Sequence, residues 1–533
     1  MRRIQRLALA LMLLGSIAAV AQQRQEAQAP GVPGTTARAT IDAAAAALGG
    51  ADRILSLRNI TLIGYAQYAY QNGGGNITAL PGAPQKFIAA NDYRRIYDLE
   101  HGRMRHLERR NDLFPFANYG GHDFALQHQV LDGGVAYNVN AQGQAVRGGD
   151  VRDRRMWMYT NPIVAVRAVL NGSATVANRR QENGLTLIDL TLKDGDAMTM
   201  AIRPPANQPA WVRWSGPNAN LGEVAYTTHF YGYVPFDGIR LPMGYTTKLD
   251  WRDVDFLKLY VDGYQINSQI QDMAAPTTFA TPAGGRGGGG AGGGQGGANI
   301  QVTPIARGLW RLTGGTMVIE FADHMTLFEV GGGAERVAAV IKAARQIVPS
   351  KPVTEVIVSH HHFDHTAGLR QAVAEGLTVI SRRDNGVIFR EMTSRPTPNF
   401  PDALGKSPKP LKFIPVDDHL QLKDATMAVD IYHVIGNNHM ADAVFAYIPE
   451  HKAMIEGDIA TAAEDLQWWG DSWQDNINYR KLDVQLNVPV HMDVMTREQV
   501  IKMVTPGIQR VKGFCAQHLA KGNYFPGCPA QVR

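Results

Sequence analysis

The sequence predicts two regions of different fold class. The first is mostly antiparallel β, a curved sheet or half-barrel with a few helices, and the second is a layered α/β domain. Three observations predict this. The 533 residues exceed one ordinary core, at roughly 100–200 residues per domain. Eleven glycines fall within the fourteen residues Gly284 to Gly297. The hydrophobic rhythm also changes across that run, from strand-like alternation to strands interleaved with helices.

Composition narrows the functional classes. Apolar residues at 45% and charged residues at 19% suit packed domains and argue against a disordered chain. Of the formal charge of +5, three units are Arg2, Arg3 and Arg6 in the N-terminal segment. The remainder is too small for a polyanion-binding surface, so no nucleic-acid partner is expected. Two cysteines rule out a disulfide-dense scaffold and a four-cysteine metal site.

Residues 1–21 read as a signal peptide: basic through Arg6, apolar from Leu7 to Leu14, then the small-x-small triplet Ala19-Val20-Ala21. The apolar run is short of the ~20 residues a spanning helix needs. It ends in Gln22-Gln23-Arg24-Gln25, and no other stretch is long and apolar enough to span a bilayer. The expectation is a periplasmic or secreted protein, cut after Ala21, with no membrane span after signal removal. Residues 22–39 form a loose Pro/Ala/Gln-rich leader.

Residues 40–278 read as the β-rich accessory domain. A helix at Ile41 to Leu48 stops at Gly49-Gly50. Strands follow at Ile60 to Tyr70, Phe87 to Leu99, Val135 to Asn140, Leu185 to Leu192, Ala197 to Ile202, Ala210 to Trp214, Val224 to Tyr233 and Tyr245 to Asp250, with a helix at Ile163 to Leu170. The segments ALGGADRILSLRNITLIGYA and LGEVAYTTHFYGYVPFDGIRLPMGY resemble the half-barrel domains of envelope lipoprotein carriers. That resemblance implies an apolar ligand in this domain.

Residues 279–299 form the Gly-rich linker. With almost no side chains to bury, it reaches about 5–6 Å × √n, roughly 20 Å for its glycine run. It lacks the GK[ST] of a phosphate loop. Residues 300–533 then alternate: strands at Leu309 to Leu312, Met317 to Phe321 and Thr326 to Val330, a helix at Glu335 to Val348, a strand at Val353 to Val358, and a last helix at Thr496 to Val511.

The strand ending at Val358 runs into Ser359-His360-His361-His362-Phe363-Asp364-His365, with four histidines in six residues. In extended chain, residues two apart point the same way, so His360 and His362 can serve one metal while His361 points away. Asp364 and His365 can serve a second. Imidazole with carboxylate suits zinc first, and also iron or manganese.

His-x-His-x-Asp-His followed by Thr366-Ala367-Gly368-Leu369 resembles the metallo-β-lactamase fold superfamily of metallohydrolases, over about residues 300–510. The resemblance implies an αββα sandwich and carries three more ligands. In GNNHMADAVFAYIPEHKAMIEGD, His439 falls at the third ligand of the first metal and Asp458 at the bridging carboxylate. In LNVPVHMDVMTREQV, His491 falls on the second metal. This chain departs from the family pattern with Met492 after His491, Met440 after His439, and Glu329 where an aspartate commonly ends the second strand. His518 is the rival to His491, while His433 and His451 read as non-ligands.

That ligand set implies a dinuclear hydrolase. Two cations share a bridging water, make hydroxide available at neutral pH, and direct it at an ester, thioester, lactone or phosphodiester-type small-molecule substrate. Asp364 is a candidate proton shuttle. Family members that open β-lactams usually carry Cys or Ser where this chain has Asp458. A β-lactam hydrolase is therefore the alternative, and an envelope lipid- or ligand-binding protein with a secondary hydrolase domain is another. Trp468, Trp469 and Trp473 either line an apolar pocket or pack as core. Cys515 and Cys528 are expected to pair in an exported chain. Trypsin is expected to cut first at Arg286, giving fragments near 22–285 and 295–533; resistance at Arg286 would refute the linker.

Overall fold

A computed structural model of the chain describes residues 36–70, 78–83, 85–112, 125–281, 299–437, 439–460 and 471–522. Residues 1–21, the glycine run, Trp468, Trp469 and Cys528 lie outside the described residues, and with them the signal-peptide, linker and disulfide expectations.

The described residues open with α1 (Ala37–Ala47), capped by Thr36, whose Oγ1 accepts from the Ala39 amide at 3.1 Å. A short α2 (Ala51–Leu55) follows. Between them Gly49 has φ +123° and its α-carbon lies against the Gly238 carbonyl, leaving no space for a β-carbon. Six strands come next: β1 (Asn59–Ala69), β2 (Phe87–Asp98), β3 (Arg103–Asp112), β4 (Ala125–Asp132), β5 (Val135–Val139) and β6 (Ala145–Gly148). Helices α3 (Val151–Met158) and α4 (Pro162–Leu170) then lead into seven more: β7 (Ala174–Glu182), β8 (Leu185–Leu192), β9 (Ala197–Arg203), β10 (Gln208–Asn218), β11 (Gly222–Phe236), β12 (Ile239–Leu249) and β13 (Asp255–Ile266).

These thirteen strands form one antiparallel sheet in the order β6-β5-β4-β3-β2-β1-β13-β12-β11-β10-β9-β8-β7. Chain neighbours pair, except β6 with β7, and β1 joins β13 to bring the two halves of the meander together. The sheet is open, with β6 and β7 as its edges. The helices pack on one face, where Ile41, Ile54, Met156 and Ile163 meet Tyr93, Tyr97, Leu241 and Leu259 in a continuous core.

After the glycine run the architecture changes. The first strands are β14 (Val302–Ala306), β15 (Leu309–Leu312), β16 (Thr316–Glu320) and β17 (Met325–Phe328), followed by α5 (Ala334–Ile347) and β18 (Val353–Ile357). Then come α6 (Phe363–Thr366), α7 (Leu369–Glu375), β19 (Thr378–Arg382), α8 (Asn385–Ser394), α9 (Ala403–Lys406) and β20 (Lys412–Val416). The last group is β21 (His419–Lys423), β22 (Ala428–His433), β23 (Val444–Ile448), β24 (Ala453–Glu456), α10 (Asp471–Arg480), β25 (Leu486–Pro489), β26 (Met495–Thr496) and α11 (Arg497–Ala520).

Strands β14 to β20 form a seven-stranded sheet and β21 to β26 a six-stranded one. Their facing sides interlock through Met317, Phe328 and Ile357 against Val429, Val444 and Ile455. Helices α5, α7 and α8 cover the outer face of the first sheet, and α10 and α11 that of the second. The result is the expected four-layer αββα sandwich. Helix α11 runs nine residues past the expected end at Val511 and carries Cys515 and His518. No helix among the described residues is long and apolar enough to cross a membrane.

The two regions share buried surface. Ala79, Leu221, Val224 and Trp251 of the first enter the core formed by α5, α7 and α8. Arg252 pairs with Glu391 at 2.7 Å, Arg395 with Asp250 at 2.9 Å, and the Ala79 amide donates to Asp442 Oδ2 at 2.7 Å. Fragments cut at Arg286 should therefore co-elute on gel filtration, and their separation without denaturant would show these contacts too weak to hold.

At this junction Gly222 has φ +74°, and a β-carbon there would lie 2.6 Å from Arg370 and Thr397. Gly222→Ala should cost about 1–3 kcal/mol from the backbone alone, and more from the clash. Gly172→Ala, at φ +76° with nothing within 4 Å, is the control and should cost less in denaturant unfolding.

Candidate metal centre

The functional side chains sit where strands end. Strand β18 stops at Ile357, and the loop Ser359 to His362 leads into the single turn of α6, which carries Asp364 and His365. His439 lies on the loop after β22, Asp458 just past β24 and His491 just past β25. Loops at strand ends can hold irregular backbone while the sheets fix their anchor points.

The seven residues expected as ligands converge as two groups. His360, His362, His439 and Asp458 form one; Asp364, His365, Asp458 and His491 form the other, and in each the ligand atoms lie within 4.8 Å of one another. Asp458 belongs to both. Its Oδ2 is 3.1 Å from His365 Nε2, 3.1 Å from His439 Nε2 and 3.7 Å from His360 Nε2, while Oδ1 is 3.3 Å from His491 Nε2. Asp364 Oδ2 lies 3.5 Å from both His365 Nε2 and His491 Nε2.

The donor set fits cations. His491 Nε2 and His365 Nε2 are only 3.0 Å apart, and His360 Nε2 is fully buried without a hydrogen bond. Lone pairs aimed at one another, with a carboxylate between them, are what a cation requires. Burial, and then neighbouring imidazoles, hold His360 and His362 well below the ordinary histidine range, so both are neutral. Burial pushes His365 down too, but Asp364, Asp458 and Glu329 outweigh it and raise that ring. Burial pushes Asp458 up, but His365 and His491 outweigh it and keep the group a carboxylate.

A second layer orients the rings. Glu329 Oε2 accepts from His365 Nδ1 at 2.6 Å, and Oε1 accepts from the Ser359 amide at 2.6 Å. The departure at Glu329 thus has a role: the longer side chain grips both the ligand and its loop, from a backbone at φ +82°. Ser359 Oγ is 2.8 Å from His360 Nδ1. Glu456 accepts from the Ile459 amide at 2.8 Å and from Asn487 Nδ2 at 3.0 Å, which fixes the turn that presents Asp458 at φ +61°. Asn437 Oδ1 accepts from the amides of His439 and Met440 at 2.8 and 3.2 Å.

Sequence reasoning missed Asn220. Its side chain comes from the β10–β11 turn, is buried, and donates to the Phe363 carbonyl and to Thr366 Oγ1, both at 2.8 Å. Thr366 Oγ1 in turn donates to the His362 carbonyl at 2.9 Å. Trp251 packs on Phe363 with ring centroids 5.6 Å apart. The accessory sheet thus buttresses the ligand loop, and nothing local in the sequence around Asn220 signals it. Lys86, just before β2, adds a positive charge that helps to depress His362; burial lowers the lysine itself to about 8.

The other candidates lie apart. His361 is buried beside His362 but belongs to neither group. His433 Nε2 donates to the Ala441 carbonyl at 2.9 Å and His451 Nε2 to the Arg307 carbonyl at 2.7 Å. His518 sits on α11 against Phe514, at 4.3 Å between ring centroids. Trp473 does not line a pocket: it is fully buried among Phe445, Met454 and Val500, and donates to Asn487 Oδ1 at 2.9 Å. A tryptophan whose one donor is satisfied inside a core is packing material.

Residues 313–491 match the family model described as the Metallo-beta-lactamase superfamily. No curated protein matches the chain. Among solved structures, a metallo-beta-lactamase from Pontibacter korlensis is similar at 16% identity and a TM-score of 0.32, over 40% of this chain and 99% of that one. A metallo beta lactamase from Hirschia baltica is similar at 15% identity and a TM-score of 0.30, over 39% of this chain and 96% of that one. FIM-1 from Pseudomonas aeruginosa, in the mono-zinc form, is similar at 14% identity and a TM-score of 0.31, over 40% of this chain and 95% of that one. The C-terminal region has a metallo-β-lactamase-like fold.

Asp458→Ala removes the carboxylate shared by both groups. Retained metal should fall by well over tenfold, and by about 10–100-fold for Glu329→Gln, which keeps the shape but weakens the brace. His361→Ala should change it little. Equal losses for Asp458→Ala and His361→Ala in competitive chelator titration would overturn the assignment.

Proposed function

We propose that the protein is an exported, dinuclear metal-dependent hydrolase acting on an ester, thioester, lactone or phosphodiester-type small molecule. The observation that carries this reading is Asp458, which faces both ligand groups at once. The imidazole-rich set suits zinc, and also iron or manganese. Two such cations would supply Lewis-acid activation of water and of the substrate's carbonyl or phosphoryl oxygen.

The chain's own residues do the rest. Glu329 accepts a hydrogen bond from His365 Nδ1 and so fixes the ring with Nε2 facing the centre, where it would hold a cation. Ser359 Oγ, 2.8 Å from His360 Nδ1, orients that ring in the same way. Asp458 holds a fixed negative charge between the groups and neutralises part of any cation pair placed there. Asp364 differs from Asp458 in reaching solvent: its side chain is 34% exposed, against 9% for Asp458. A carboxylate with one edge in the centre and one in water can carry a proton between them, and we assign Asp364 that role.

Export rests on residues 1–21, with the mature chain placed in the periplasm or outside the cell. The aspartate at position 458 favours substrates other than β-lactams. Purified protein should contain close to two equivalents of zinc, iron or manganese by elemental analysis. It should turn over generic ester, lactone or phosphodiester substrates faster than nitrocefin, and lose that turnover on chelation. Metal content near zero after supplementation would sink the enzyme reading, while preferential nitrocefin turnover would favour the β-lactamase alternative.

A further inference from the structure

The helices cover one face of the thirteen-stranded sheet, and residues 270–279 lie on the other face over β4 and β5. Over β1, β13, β12 and β11 that second face carries none of the described helices. Strand pairing brings Tyr65 of β1, Tyr260 of β13, Gly244 of β12 and Tyr231 of β11 into one row across it. The three tyrosines are 48%, 50% and 52% exposed, whereas Tyr93, Tyr97 and Tyr245 of the same sheet are buried. Tyr65 and Tyr260 stack at 5.2 Å between ring centroids and 16° between planes. Tyr231 stacks on His229, two residues back along β11, at 6.4 Å and 23°.

Gly244 interrupts that row, and the usual structural uses of a strand glycine do not explain it. Glycine inside a strand weakens it, and serves a left-handed backbone, a bulge, or the close approach of another backbone or a ligand. Gly232 has φ +63°, and a β-carbon on Gly64 would run into the Tyr260 carbonyl. Gly244 has no positive φ, pairs in register with Tyr231 and Tyr260, and a β-carbon there would meet nothing closer than Tyr231 Cβ at 3.7 Å. The fold has room for a side chain and the sequence supplies none. What results is a slot floored by Gly244 and flanked by Tyr260 and Tyr231, which stand two strand spacings apart, about 10 Å.

Polar and positive groups border the slot. One step along the strands, Lys258, Thr246 and His229 form the next row on the same face. Arg94 lies opposite Ile63, two residues before Tyr65, and Arg213 opposite Thr227, two before His229. Burial lowers the His229 ring, and Lys248 and Arg203 add to that. Arg94, Arg203 and Arg213 are exposed and form no ion pair among the described residues, against one exposed acid in the same state, Asp262. The other acids nearby are engaged: Asp253 by Lys248, Asp255 by Lys258 and Asp189 by Arg180. A ring with an apolar face, polar edges and a negative charge complements this arrangement. An acidic sugar has all three: its C–H face stacks on an aromatic ring, while its hydroxyls and carboxylate take hydrogen bonds and charge at the edge. An aliphatic chain would leave the polar row and the arginines unused. We propose that the open face of the thirteen-stranded sheet binds an acidic polysaccharide, with one uronic acid ring seated over Gly244 between Tyr260 and Tyr231. This site is separate from the metal centre and does not rest on the hydrolase reading.

The test uses the full chain in affinity electrophoresis and calorimetry, with polygalacturonate and alginate as probes. Dextran, oligo(dT) and vesicles of anionic phospholipid serve as comparisons. At least one of the two acidic polysaccharides should bind at least tenfold more tightly than dextran, and its affinity should fall with added salt. Gly244→Thr should weaken that binding at least tenfold, because a strand-favouring side chain fills the slot. It should leave the metal content unchanged and the unfolding temperature equal or higher, since the backbone and its surroundings accept a β-carbon there. Tyr260→Ala should weaken the same binding about tenfold through the lost stacking face. The proposal is overturned if neither acidic polysaccharide binds, if dextran binds equally well, or if oligo(dT) or the vesicles bind more tightly. Unchanged affinity in Gly244→Thr would overturn it too. If Gly244→Thr does not fold, Tyr260→Ala, which truncates an exposed ring, decides in its place.

Discussion

Five imidazoles and two carboxylates brought to one sheet edge, mostly out of water, are held there by the fold and not by one another. The rings present lone pairs to a common volume, and Asp458 is flanked by four of them. Such an array has little cohesion of its own without a cation. The sandwich therefore has to supply it through rigid strand ends, the strained backbones of Glu329 and Asp458, and a layer of hydrogen bonds behind the ligands. Much of the polar burial in the C-terminal region is accounted for by this need. Ser359, Asn437, Glu456 and Asn487 are buried because each orients a ligand or the turn that carries one.

The same constraint explains why the accessory sheet docks where it does. Helix α6 is one turn long and could not hold Asp364 and His365 in place unaided. Asn220 pins its first carbonyl and its last hydroxyl, and Trp251 covers Phe363. Gly222 lets the turn that carries Asn220 approach closely enough to do so. The accessory sheet is thus part of the wall behind the metal loop, even though a glycine-rich stretch separates the two regions in sequence.

Buried charge is handled differently in the two regions. Around the metal centre, burial and opposing charge set each group: neutral histidines deep inside, and an ionised aspartate where imidazoles face it. On the helix-covered face of the large sheet, Glu108 is engaged by Tyr68, His106 and Arg110, while Arg95 lies among the rings of Tyr93 and Trp157 and the hydroxyl of Tyr97.

Patterns carried by neighbouring residues were legible in the sequence. His360, His362, Asp364 and His365 sit within one strand end and one helical turn, so spacing alone places them. Strands such as Leu185–Leu192 and Leu309–Leu312 alternate or bury plainly enough to read directly. Strand β3, RMRHLERRND, was not legible, because it carries charge where a strand normally carries apolar residues; its inward Glu108 is paired by groups from β1 and from β3 itself. Strand β7, an edge with mostly exposed side chains, escaped for a related reason. Only the tertiary structure could show that Glu329 braces His365, that Trp473 is core, and that Asn220 supports a loop 143 residues away. Each of those depends on which strand ends and turns meet in space, and local periodicity holds no record of that.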